Sequence, residues 1–169
     1  MGKQMIDIDK NHCICKKHNN TPKECIDQYT LSEEGKSITL KQRSNENVMA
    51  IVLDKCILDD KNKKCDGLFL YKTLTKKHSF LVELKGAGDI EKAFIQLSYT
   101  RDNRVEYNNI INLFYDTDNK KVYEKFAIVS NGSLEKTRLE QLENQYNIRV
   151  KKILHSEATT PIPDLKELI

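Results

Sequence analysis

At 169 residues, with 28 Lys and Arg against 25 Asp and Glu, the chain carries a formal charge of +3. That length fits one domain around one core. Hydrophobic runs recurring along it exclude a disordered chain, and the mild positive charge permits a nucleic-acid partner without demanding one. No apolar run nears the roughly 20 residues of a membrane helix, and no apolar leader follows Met1, so no membrane partner is expected. Five cysteines, an odd number, without such a leader point to a reducing, cytoplasmic setting. No internal repeat is present.

Residues 1–47 read as an N-terminal elaboration. His12, Cys13, Cys15, His18 and Cys25 are the residue types that hold zinc. The spacing Cys13-Ile14-Cys15 departs from the two-to-four-residue gap of zinc knuckles. Unpaired thiols are therefore the expected reading, with a structural Zn²⁺ as the lesser one. Thr21-Pro22-Lys23-Glu24 has the cap, first-turn proline and acid of a helix start, which predicts a helix over 22–31. Ile38–Lys41 predicts a strand and Ser44–Asn47 a turn. Val48–Leu58 then reads as one long strand buried on both faces. Asp54 within it has two readings: a strand-end carboxylate facing solvent or backbone, or an extra acidic group near a cation.

Asp59–Lys64 is a polar loop whose lysines read as a solvated turn. Cys65–Tyr71 and Phe80–Gly86 follow as short apolar strands. Lys72–Ser79 connects them, and its Lys72, Lys76, Lys77 and His78 either solvate the loop or touch a nucleic-acid backbone. Both strands carry charge that a core strand normally excludes. With a period of two, Phe80, Val82 and Leu84 share one face, and Leu81, Glu83 and Lys85 the other. Glu83 and Lys85 then stand about 7 Å apart along the strand. Asp66 opens the neighbouring strand and brings a second carboxylate. Such a group suits Mg²⁺, a hard cation held by one or two carboxylates plus substrate phosphate.

Gly86-Ala87-Gly88 turns the chain; no Walker sequence follows. Asp89 is placed to cap a helix whose stripe is Ile90, Ala93, Phe94 and Leu97. Gln96 lies on the flank of that stripe, and Tyr99 faces elsewhere. Residues 101–123, with Arg101, Arg104 and a helical run near Ile110–Tyr115, elaborate the core. Lys125–Ser130 predicts a buried strand, Ser133 a cap for a helix to Tyr146, and Ile148–Leu154 an edge strand. Strand, helix and strand form a parallel crossover. Residues 155–169 read as a tail.

Asp66 followed, after a hairpin, by Glu83-Leu84-Lys85, glycine and an amphipathic helix resembles the PD-(D/E)XK nuclease superfamily. The resemblance spans residues 48–154 of a single domain, with Cys65 where that family often has proline. It implies an α/β fold, a restriction-endonuclease-like mixed β-sheet flanked by helices on both faces. It also implies a Mg²⁺-dependent endonuclease, with Mn²⁺ able to substitute, that hydrolyses phosphodiester bonds of DNA in restriction, repair or defence. Asp66 and Glu83, with the Leu84 carbonyl, would hold the metal; Lys85 would orient water or stabilise developing charge; Gln96 would order the site. Many members add a glutamate ahead of the hairpin, and Glu24, Glu33, Glu34 and Glu46 all precede it here, undistinguished. Cutting both strands would ask for a homodimer. The alternative is a non-catalytic nucleic-acid-binding or protein-interaction module on the same fold.

Overall fold

A computed structural model describes residues 5–17 and 21–169; His18, one of the candidate zinc ligands, lies outside them. The described residues form two sheets and three α-helices, a mixed α/β architecture. The first sheet is small and antiparallel: β1 (Cys25–Asp27), β2 (Thr30–Glu33) and β3 (Lys36–Thr39). Strands thus occupy the span where a helix over 22–31 was expected. Two causes override the helix-start signal. Glu34 and Gly35 both take positive φ, 49° and 77°, which is what a tight two-residue hairpin turn requires. Leu31 is also buried against Gly67, where an added Cβ would lie 2.3 Å from its Cδ1.

The second sheet is built from β4 (Asn47–Val52), β5 (Gly67–Lys72), β6 (Lys77–Lys85), β7 (Val122–Ser130) and β8 (Leu154–His155), in that spatial order. β4, β5 and β6 pair antiparallel; β6, β7 and β8 pair parallel. Parallel neighbours need a crossover. α1 (Ile90–Asn103) and α2 (Val105–Asp116) supply the one from β6 to β7, and α3 (Lys136–Tyr146) the one from β7 to β8. The order of elements over residues 48–154 follows the expectation, with α2 added in the segment the sequence left open.

The layering differs from the expectation. All three helices cover one face, packing Phe94, Leu97, Tyr107, Phe114 and Leu142 on Ile51, Leu68, Leu81 and Ile128. The opposite face carries no α-helix among the described residues. There Leu31, Ile38 and Leu40 of the small sheet region meet Phe69, Phe80, Val82 and Val129. The C-terminal segment joins this second layer: Leu165 and Leu168 are buried in it, and Asp164 bridges to Thr39. The N-terminal segment covers the β4 edge, where Cys15 N–H donates to the Ala50 carbonyl at 2.8 Å. That blunts an otherwise open strand edge.

Several boundaries move for local reasons. β4 stops at Val52, because Lys55 takes a positive φ of 62° and Leu58 N–H turns back to the Leu53 carbonyl. α3 begins at Lys136 rather than at Ser133, and a left-handed Asn147 ends it. Lys151, at φ 67°, breaks the expected edge strand, leaving only Leu154–His155 paired. Asp89 precedes α1 but makes no capping bond, pairing with Lys92 at 3.0 Å instead.

The cysteines are not unpaired. Cys13 bonds Cys56 and Cys15 bonds Cys25, leaving Cys65 free and buried. Disulfides persist in oxidising surroundings, so the cysteines give no ground for a reducing compartment. No described helix is long and apolar enough to cross a membrane.

Titrating thiols in the denatured chain should find one without reductant and all five after reduction. Reduction should lower unfolding stability in a denaturant titration by about 2–4 kcal/mol for each of the two disulfides. Five reactive thiols before reduction would overturn the pairing.

Candidate active site

Asp66 stands where three strand ends meet, just ahead of β5. Its N–H is shared by the Val82 carbonyl, at 3.1 Å, and Glu83 Oε2, at 3.0 Å. Its carbonyl accepts the N–H groups of Leu53, at 2.9 Å, and Asp54, at 3.3 Å. Its Oδ2 accepts Leu84 N–H at 2.7 Å. The backbone therefore ties the end of β4 and the end of β6 to this residue. The ladder explains why: Gly67 pairs with Val52 on one side and Val82 on the other. Asp66 lies one step beyond that pairing, so its polar groups bond the residues just past both partners.

Glu33, Asp54 and Asp66 each bring one carboxylate oxygen within 4.8 Å of the other two. Glu33 arrives on the last residue of β2, because the small sheet packs closely over Gly67. A cleft of about 10 Å³, lined also by Glu24, Leu31 and Leu84, lies among them. That is about the room of one water-sized species. Of the four glutamates ahead of the hairpin, Glu33 joins Asp66 and Glu24 lines the same cleft. Glu34 lies in the hairpin turn, and Glu46 bonds Tyr71 and Lys166 elsewhere. Asp54 lies just past the end of β4, beside other acids.

Glu83 is 1% exposed. Its Oε2 accepts from Asp66 N–H and its Oε1 pairs with Lys85 Nζ at 3.2 Å. Asp66, Glu83 and Lys85 are thus brought together, but the oxygens that converge with Asp66 belong to Glu33 and Asp54. Leu84 gives its N–H to Asp66 and its side chain to the cleft wall. In an extended strand the N–H and C=O of one residue face the same neighbour, so its carbonyl faces Asp66 too. Gln96 is not brought to the carboxylates. Its Nε2 donates to the Lys64 carbonyl at 3.0 Å. With Arg104, which clamps Asp60 at 2.8 and 2.6 Å, it holds the loop that leads into Asp66.

Comparison with family models, curated proteins and solved structures finds no match to this chain.

The basic residues of the β5–β6 turn do not face this cleft. Lys77 is fully buried, bonding Asp118 at 2.7 Å and Thr117 Oγ1 at 2.6 Å, and Lys72 takes the same Asp118 at 2.9 Å. His78 is buried among Tyr71, Phe80 and Tyr123. They lie about 26 Å along β6 from Lys85, eight residues at ~3.3 Å each.

Burial, then the charges of Glu83 and Glu33, push the Asp66 carboxyl far above the carboxylate range. Burial likewise lifts Glu83 to about 8, against the pull of Lys85. Burial opposes the charge of Lys85, but Glu83 outweighs it and raises that ammonium's pKa. The donors are all hard oxygens, crowded and reluctant to ionise together, which is the setting a divalent cation relieves. Thiol ligands for zinc are not available in the same way, since Cys13, Cys15 and Cys25 are in disulfides.

A carboxyl with a raised folded pKa binds its proton more tightly than the unfolded chain does. Stability then falls as pH rises from the unfolded value near 4.3 toward about 8 for Glu83. In chelator, melting should drop across that window. Mg²⁺ should restore it by ~4 °C or more at pH 8 and by little at pH 5. A Mg²⁺ shift equal at both pH values in thermal melts would count against the cation site.

Proposed function

We propose that the chain is a Mg²⁺-dependent nuclease that hydrolyses phosphodiester bonds of DNA, on a PD-(D/E)XK-like core spanning residues 48–154. The observation that carries this reading is the convergence of Asp66 with Glu33 and Asp54 beside the Glu83–Lys85 pair. Binding alone gives little reason to place several acids in one narrow cleft, where their repulsion and burial cost stability. The strand order and the hairpin that precedes α1 suit the same reading.

Glu33, Asp54 and Asp66 would hold the ion, with the Leu84 carbonyl on the same side; Mn²⁺ suits the same oxygens. When bound, the ion supplies Lewis-acid polarisation of the phosphate and a reactive water at neutral pH. Glu83 has a different part from the one expected of it. It holds Lys85 by one oxygen and Asp66's backbone by the other, so it sets the angle between ammonium and metal ligands. Lys85, with a quarter of its side chain exposed, is free to reach a phosphate oxygen or the attacking water. There its charge offsets the negative charge that develops as the bond to phosphorus forms. Gln96 acts at one remove, by fixing Lys64 two residues from Asp66.

Lys85→Met keeps the stem and its packing but removes the charge. It should leave folding and Mg²⁺ affinity nearly unchanged and slow plasmid cleavage by ~10² or more. Asp54→Asn and Glu33→Gln should instead weaken Mg²⁺ binding in titration calorimetry. Equal cleavage by wild type and Lys85→Met, at matched stability, would overturn the catalytic assignment and favour a binding module.

A further inference from the structure

Two open clefts continue from the acidic one. The nearer, of about 390 Å³, shares Glu24 and Asp54 with it and is lined by His12, Thr21 and Lys55. The farther, of about 690 Å³, shares Thr21 with the nearer and is lined by Lys16, Lys17 and Tyr29. Both volumes fall in the range of ligand sites, ~300–1,000 Å³. Their shared lining residues set the three side by side, lysines at one end and acids at the other.

Disulfides anchor the chain next to His12, Lys16 and Lys55. His12 adjoins Cys13, Lys16 adjoins Cys15, and Lys55 adjoins Cys56. The two disulfides join Cys13 to Cys56 and Cys15 to Cys25. They therefore tie the cleft walls to the turn that carries Asp54 and to the strand that follows Glu24. Lys16, Lys17 and Lys55 are exposed. Asp27 also lines the farther cleft, but its carboxylate is engaged by Tyr29 N–H at 2.7 Å. The Tyr29 ring is steadied by Gln28 Nε2, which donates to its hydroxyl at 2.7 Å. Ile26, 59% exposed, stands in the same cleft. Lysines that follow a backbone, beside an aromatic ring with an apolar neighbour, are how proteins hold an unpaired strand. A duplex hides the base faces that such a ring would stack.

We propose that these clefts act as one groove holding a single nucleic-acid strand, its phosphates on Lys16, Lys17 and Lys55 and a base against Tyr29, and that the strand leads the scissile phosphate to the acidic cleft. The assignment rests on the nuclease reading. It adds a substrate class, an unpaired strand, and a direction of approach through the disulfide-bonded segment rather than over the helices. Recognition is through phosphate and ring, without base-edge contacts, so binding tolerates many sequences.

The test is fluorescence anisotropy with a labelled phosphorothioate oligonucleotide of roughly 12 nucleotides, as strand and as duplex, in Mg²⁺ over a salt series. Wild type should bind the strand more tightly than the duplex. The double variant Lys16→Glu, Lys17→Glu should bind it ~10-fold or more weakly, with the salt slope reduced by about 1.4, or ~0.7 per lost phosphate contact. Tyr29→Leu should weaken strand binding ~10-fold and leave duplex binding unchanged. Lys121→Glu, beside the strand end where Lys77 pairs with Val122, should bind as wild type. Unchanged affinity and slope in the double variant, with wild type cleaving an ordinary oligonucleotide, would overturn the groove and leave the nuclease standing. Strand binding lost in that variant, with no Mg²⁺-dependent cleavage by wild type, would keep the groove and remove the nuclease. Tighter binding of the duplex would overturn the single-strand assignment.

Discussion

The structure turns on how Asp66 is held. Five hydrogen bonds to its own atoms join the ends of β4 and β6, and its carboxylate is left among Glu33, Asp54 and Glu83. A half-buried carboxylate crowded by other acids is driven toward its protonated form. Here two strand ladders fix the backbone around it, and Leu84 N–H holds its Oδ2 at 2.7 Å. The repulsion among the acids is therefore held in place by the sheet, and relief comes from protons or from a cation.

Close approach of the two sheets makes this possible. Gly67 lets Leu31 sit over β5, and Glu33 follows two residues later on the same strand. On the other side, Gly132 touches Ala87, where an added Cβ would lie 2.6 Å from Ala87 Cα. That contact packs the β7–α3 turn against the residues just after Lys85. Both glycines act through missing volume, Gly67 next to Asp66 and Gly132 against Ala87, two residues after Lys85. The disulfides add a third constraint, since Cys56 follows Asp54 by two residues and Cys25 follows Glu24 by one.

The two ends of the long β6 strand show opposite treatments of charge. At its start, Lys77 is buried with its ammonium bonded to Asp118, Thr117 and the Phe114 carbonyl. Bonds from Lys72 and Lys77 hold Asp118 well below the carboxylate range. There several ammoniums converge on one carboxylate. At its end, several carboxylates face one paired ammonium in a cleft open at one side. The sheet core between them is apolar, so neither group screens the other.

Much of the central sheet was legible in the sequence. The apolar runs at 65–71 and 80–86 are too short for helices, and the stripe at Ile90, Ala93, Phe94 and Leu97 has helical period. The alternation along Phe80–Lys85 by itself placed Glu83 and Lys85 on one face, and the hairpin placed Asp66 beside them. What it lacked was anything that depends on distant segments meeting. Glu33 and Asp54 lie 33 and 12 residues before Asp66; Asp54 stands out as a charge in an apolar run, but no local pattern marks Glu33 off from Glu24, Glu34 or Glu46. Pairing of β4 with β5 brings Asp54 to Asp66, and the stacking of the small sheet brings Glu33. The same holds for the cysteines, since Cys13 and Cys56 are 43 residues apart and spacing says nothing of which loops come within bonding reach. The segment 22–31 carried a sound helix start, yet became strands, because burying Leu31 over Gly67 and closing the Glu34-Gly35 turn outweigh one capping signal. Local periodicity set the strands and helices of the core; tertiary packing decided which charges share a cleft.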